Sequence, residues 1–209
     1  MAKDTRARML ETTARLLQLR GYYGTSLSEI LAESGSPRGS LYFHFPGGKD
    51  QLVLEATRAA VDETTEWLRE ALAKAKNPAD GVRAYLEGAA TALRETDYTF
   101  GCPVAPVILD AAGSLEELSD LCREAFEEWV TLLRTSFVEA GVPNRRANAL
   151  ALLVQSALEG LLIIARAYRD VTPLMTVAVE LEAVVQAALP PRATRPSRRQ
   201  SKQPRVQRV

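Results

Sequence analysis

The stretch SGSPRGSLYFHFPGGKDQL, Ser34 to Leu52, decides how the rest of the chain is read. It holds three aromatic residues, the single histidine of the chain, four glycines and two prolines, with little regular apolar periodicity. Ser36 reads as an N-cap before Pro37, whose missing N–H costs nothing at a first helical position. Pro46, Gly47 and Gly48 then stop the segment, so the spacing predicts a helix too short to be an ordinary core element. Leu41 and Phe45, four apart, can pack inward from it. Arg38, Gly39, Ser40, Tyr42 and His44 are left to face elsewhere.

Working upstream, Arg6 to Arg20 carries Met9, Thr13, Leu16, Leu17 and Leu19 mostly on one side and stops at Gly21, which reads as a helix followed by its glycine cap. TSLSEILAESG follows, with Ser26 and Glu29 at capping-box spacing and Gly35 as the stop. Three short helices, the last two joined by the tight ESGSPR turn, form a helix-turn-helix layout, in which the third helix enters the major groove of DNA. In that layout Arg38 is the candidate base reader, and Thr25, Tyr42, His44 and Lys49 are assigned to phosphates. Ser36, Pro37, Gly39 and Ser40 complete the DNA-facing set at the start of the third helix.

Downstream the helical period continues. A fourth helix is expected from near Lys49 to about Lys76, a fifth from Asp80 to Glu95 after Asn77-Pro78, and then the irregular DYTFGCPVAP. SLEELSDLCREAFEEWVTLLRTSFVEAG opens with Ser114 and Glu117 as a second capping box, Pro143 opens another helix, and Thr172-Pro173 opens the last. The expectation is an all-α protein of about nine helices: residues 1–48 as a three-helix DNA-binding domain, 49–189 as a C-terminal helical bundle, and 190–209 as a disordered basic tail.

Charge sharpens this division. The 209 residues carry equal numbers of acids and bases, but residues 1–50 hold seven Lys/Arg against five Asp/Glu, residues 51–189 hold 12 against 21, and residues 190–209 hold seven against none. A polyanion would be repelled by the middle and gripped at the N-terminal end, with the tail as a possible assistant. No run of roughly 18 or more apolar residues occurs and the N-terminus has no apolar export region, which points to a cytoplasmic protein without a membrane partner. Catalysis has no foothold: the one histidine lies in the recognition segment, no glycine-rich phosphate loop or metal-ligand cluster appears, and no cofactor is expected. Two cysteines, Cys102 and Cys122, are too few for a disulfide framework.

The run from GYYGTSLSEILAESG through Gly39, Leu41-Tyr42-Phe43-His44-Phe45, Lys49 and Leu52 resembles the N-terminal domain of the TetR family of transcriptional repressors. Ser36-Pro37 departs from it, standing where that family often has Val-Ser. GCPVAP, Gly101 to Pro106, resembles the branch that includes the LmrA and YxaF repressors. The resemblance implies a homodimer that binds a double-stranded DNA operator, with a long fourth helix as connector and a C-terminal domain that takes a small hydrophobic effector. For pairing, the sequence offers Leu174, Val177, Leu181, Val184 or Val185 and Ala188 on the last helix, and Ala157, Leu158, Leu161, Leu162 and Ala165 on the one before. For the effector it offers Tyr98, Phe100, Cys102, Trp129, Leu133, Phe137, Gln155, Glu159 and Tyr168, aromatic and polar residues within the bundle. The alternative is a DNA-binding regulator with no effector, constitutive or switched by oxidation of Cys102 and Cys122.

The tail's lack of apolar residues generates a test: truncation after Leu189 should leave helicity per mole, read by far-UV circular dichroism, nearly unchanged. A large loss would show that the tail packs.

Overall fold

The computed structural model describes residues 2–99, 101–111 and 115–191. Among these there are nine α-helices and no strand: α1 (Ala2–Arg20), α2 (Leu27–Glu33), α3 (Arg38–His44), α4 (Gly48–Lys74), α5 (Pro78–Glu95), α6 (Ala105–Ala111), α7 (Glu116–Glu139), α8 (Asn144–Tyr168) and α9 (Thr172–Ala188). The all-α architecture is as expected. The tail from 192 and the expected capping serine Ser114 lie outside the described residues.

Local chemistry sets most helix ends. Gly21 and Gly35 take φ of +67° and +61°, left-handed values that side chains rarely adopt, and they turn the chain out of α1 and α2. Ser26 Oγ accepts the Glu29 N–H at 3.2 Å and donates to the Glu29 carboxylate at 3.5 Å, starting α2. Asn77, read in the sequence only as part of a break, is the N-cap of α5: its Oδ1 accepts from the N–H groups of Ala79 and Asp80. Ser36 differs from expectation. Pro37 is the N-cap of α3 and Arg38 its first residue, while Ser36 is buried, its N–H donating to Leu31 O at 3.0 Å and its hydroxyl to Ser34 O at 3.4 Å. The serine therefore stabilises the turn rather than the helix.

Two apolar clusters organise the packing. The smaller one joins Met9, Leu16, Ile30, Leu41, Phe45 and Leu52 from α1, α2, α3 and α4. The larger one is built mainly from α4 to α9 around Trp129, Tyr85 and Phe137, and it includes Leu17 and Val53. Leu16 and Leu17 on α1, and Leu52 and Val53 on α4, thus point neighbouring side chains into different clusters. Successive helical residues are about 100° apart, so one helix can serve two cores.

The apolar stripes read for pairing are corrected by this packing. Leu174, Leu181 and Val185 of α9, and Leu158, Leu161, Leu162 and Ala165 of α8, are buried in the chain's own core. Helix α8 is apolar around most of its circumference; over its most apolar 18 residues the mean hydropathy is 1.8, yet only 44% of that window is buried. Length and composition alone would let α8 cross a membrane, but here it packs along α7 and α9. Its outer side leaves Leu152, Leu153, Ile163 and Ile164 exposed, and α9 adds Val179 and Val184. The uncovered apolar residues of these two helices are therefore, Val184 apart, not the ones the sequence offered.

The small cluster rests on few side chains, so truncating a large one should be costly. Phe45→Ala should lower unfolding free energy by about 3–5 kcal/mol, measured by denaturant titration. A loss below about 1 kcal/mol would mean that α3 is held mainly by other contacts.

Candidate nucleic-acid interface and effector cavity

Helix α3 is fastened from beneath. Leu41 and Phe45 are fully buried, and the Arg6 guanidinium lies 5.3 Å from the centre of the Phe45 ring while pairing with Glu55 of α4. Arg15 pairs with Glu33 and Arg20 with Glu29, linking α1 to α2, and Arg8 Nε donates to Ser34 O at 3.1 Å in the turn before α3. Each exposed pair contributes little alone, but together they fix the angle at which α3 is presented.

On the outer side, Arg38, Gly39, Tyr42 and Phe43 are exposed, and Ser40 and His44 are half-buried. The space where a Gly39 side chain would stand is open. Arg6, Arg8, Arg15, Arg20 and Lys49 all have partners within the fold, whereas Arg38 makes no hydrogen bond or ion pair among the described residues. Arg38 is thus left available to an outside partner. Phe43, 76% exposed and edge-on to His44 at 4.9 Å, was not singled out in the sequence. Two residues from both Leu41 and Phe45, it lies about 200° around the helix from them, so spacing alone already places it on the outer face.

Two phosphate assignments change meaning. Thr25 is fully buried, and its hydroxyl donates to Gly21 O at 2.8 Å, so the side chain closes the end of α1 instead of facing outward. Lys49 lies half-buried with Nζ donating to Tyr22 O at 2.9 Å and 4.1 Å from the centre of the Tyr22 ring. Burial pulls its ammonium below the usual lysine range, partly offset by Asp50. The Tyr22 hydroxyl donates to Asp50 Oδ1 at 2.5 Å; burial, then that bond, push its pKa up to about 12. Lys49, Tyr22 and Asp50 thus form a latch between the α1–α2 turn and the start of α4.

In the large core, three of the residues assigned to the effector come together. Cys102, Trp129 and Glu159 line a cavity of about 20 Å³ with Trp67, Tyr85 and Leu162, a volume on the scale of one water molecule. Gln155, one turn before Glu159, donates Nε2 to Glu159 Oε1 at 2.9 Å, and the Cys102 thiol also hydrogen-bonds that carboxyl. Burial raises the Glu159 pKa, and these two bonds partly restore its ionised form. Trp129 Nε1 donates to Thr65 Oγ1 at 2.8 Å, fixing one wall.

The remaining assignments fall elsewhere. Leu133 and Phe137 are fully buried core residues that do not line this cavity. Tyr98 lies under the Arg169 guanidinium at 5.4 Å, and Tyr168 is 71% exposed. Phe100 lies outside the described residues. Thr64, Trp67 and Tyr85, which the sequence did not single out for this role, complete the walls. Helix α4 reads in the sequence as a connector, and only tertiary packing brings its Thr64 and Trp67 opposite Cys102.

With this geometry in place, comparison with known proteins is informative. Residues 9–56 match the family described as "Bacterial regulatory proteins, tetR family", and residues 78–180 match "Transcriptional regulator LmrA/YxaF-like, C-terminal domain". The chain is 35% identical over 179 residues to the HTH-type transcriptional regulator LmrA of Bacillus subtilis, covering 84% of this chain and 93% of that one. It is 30% identical over 183 residues to the uncharacterised HTH-type transcriptional regulator YxaF of the same organism, covering 88% and 96%. A TetR transcriptional regulator from Chloroflexus aurantiacus superposes with a TM-score of 0.75 at 26% identity, over 90% of this chain and 97% of that one. One from Agrobacterium tumefaciens reaches 0.78 at 19% identity over 91% and 100%, a likeness of fold. These relatives are transcriptional regulators, not enzymes, and both ends of the comparison agree with the helix-turn-helix seen here: the chain belongs to the TetR family of DNA-binding transcriptional regulators.

Proposed function

We propose that the protein is a cytoplasmic repressor that binds a palindromic operator as a homodimer and leaves it when a small hydrophobic effector enters the C-terminal bundle. The observation that carries this reading is the uncovered apolar face of α8 and α9, where Leu152, Leu153, Ile163, Ile164, Val179 and Val184 lie exposed together with Gly160, whose Cα has open space before it. Such a face on a helix otherwise sunk in the core calls for a partner, and the same face on a second copy supplies one of matching chemistry. A two-fold dimer carries two α3 helices to two half-sites, which is how short recognition helices gain affinity and specificity. Residues 1–48 then act as the reader and 49–189 as the bundle that pairs and senses.

Release follows from leverage. Helix α4 has 27 residues and belongs to both clusters. At about 1.5 Å per residue it is roughly 40 Å long, so a small tilt at the bundle end shifts the reader appreciably. An effector lowers operator affinity by binding better to the dimer whose readers are mis-spaced. The thiol-switched alternative is disfavoured by burial, which raises Cys102 well above the ordinary thiol range and Cys122 to about 11, leaving little thiolate at neutral pH.

Sedimentation should give a dimer at micromolar concentration, and Ile163→Asp should shift it toward the 22.9 kDa of one chain with loss of operator affinity. A wild-type monomer would refute the pairing. On the reader, Arg38→Ala should cost roughly 1–3 kcal/mol for operator and relax preference at one position per half-site. Equal loss on operator and random DNA would make Arg38 a phosphate contact instead.

A further inference from the structure

The cavity and the open cleft beside it share Trp67 and Thr64. The cleft, about 530 Å³, is lined by Gln18, Glu63, Thr64, Trp67, Gly88 and Glu95 among others. Trp67 therefore stands as the partition between an outer space of ligand size and an inner one that holds about a water. Its indole lies directly over Gly88, where a Cβ would come within 2.5 Å of Cζ2, and its ring centre is 4.8 Å from that of Tyr85. A swing of this one side chain would join the two spaces.

Their charges have one sign. Glu63 and Glu95 are the charged residues lining the cleft and Glu159 is the charged residue lining the cavity; no Lys or Arg lines either. Glu159 has no ion-pair partner among the described residues. Arg166 approaches the wall behind Gly101, but its Nη1 donates to Gln18 O at 3.2 Å. Hydrogen-bond acceptors are also in surplus, because Gln155 Oε1 is buried without a partner one turn from Glu159. The aromatic faces of Trp67, Tyr85 and Trp129 complete the walls, and such faces attract cations. Acidic walls around an apolar cleft also concentrate cations at its mouth.

We infer that the effector is a cationic aromatic compound, a flat ring system bearing an ammonium group, with Glu159 as its counter-ion and Trp67 as the side chain that turns aside to admit it. This rests on the reading of the bundle as the effector domain and adds the charge of the ligand to it. A neutral hydrophobe would bring no counter-charge to the Glu159 carboxyl, whose donors Gln155 and Cys102 are both uncharged, whereas an ammonium pairs with the carboxylate and holds it ionised.

Trp67 and Trp129 are the two tryptophans of the chain and both line the cavity, so intrinsic fluorescence reports its occupancy. The probes are (2-naphthylmethyl)trimethylammonium and its uncharged carbon isostere, 2-neopentylnaphthalene, titrated into the full-length dimer. The cation should quench at concentrations at least about tenfold lower than the isostere, and Glu159→Gln, with unliganded helicity and operator affinity as folding controls, should erase that preference. The wild-type comparison stands even if the variant misfolds. Equal or tighter binding of the isostere, a preference that survives Glu159→Gln, or no quenching by either probe overturns the inference. The effector reading fails separately, if compounds that do quench leave operator affinity unchanged.

Discussion

The structure depends on two helices that each belong to two cores. Leu16 and Leu17, and Leu52 and Val53, are adjacent pairs whose side chains enter different apolar clusters because the helix turns about 100° per residue. Neither cluster can rotate about α1 or α4 without dragging the other, since close-packed interiors do not deform continuously. The small cluster is too slight to fix the direction of α3 by itself. Its orientation comes from α1 and α4, whose other sides are buried in the bundle.

That arrangement explains which parts of the fold were legible in the sequence. Helix ends are decided by local chemistry, so Gly21, Gly35, the Ser26–Glu29 box and the openings at Pro143 and Thr172 could be read residue by residue. The start of α3 slipped by one residue because Ser36, a good N-cap by type, is buried bonding the preceding turn. The exposed apolar faces of α8 and α9 were missed for a different reason. A helix apolar on nearly all sides has no stripe to reveal its orientation, and three-to-four spacing can be drawn through the inner residues Leu158, Leu161 and Leu162 as easily as through the outer Ile163 and Ile164.

The candidate sites divide along the same line. Arg38, Gly39 and Tyr42 are exposed because a short helix with Leu41 and Phe45 inward has only one other face, so sequence spacing suffices there. Thr25 and Lys49 carry the right chemistry for phosphates, but loop geometry turns one hydroxyl to Gly21 O and one ammonium to Tyr22 O. Around the cavity, Cys102, Trp129 and Glu159 were found by residue type, whereas Trp67 and Tyr85 come from helices that no local pattern places opposite them.

The cavity and the reader are also closer neighbours in bonding than the length of α4 suggests. Gly101, on the cavity wall, lies so near Arg166 that a Cβ there would come within 2.9 Å of Nη1, and that same Nη1 is bonded to Gln18 O in the last turns of α1. A few residues on, α6 sets Asp110 against Gly21 and the Tyr23 N–H, at the turn that the Lys49–Tyr22–Asp50 latch holds. A ligand that pushes the 101–103 segment outward must therefore displace either Arg166 from α1 or α6 from the α1–α2 turn. Both shifts act on α1, which supplies Met9 and Leu16 to the cluster beneath α3. In the proposed release, α4 would give leverage over distance while Arg166 and Asp110 would give direct contact to α1, the helix that carries Met9 and Leu16 of the cluster beneath α3.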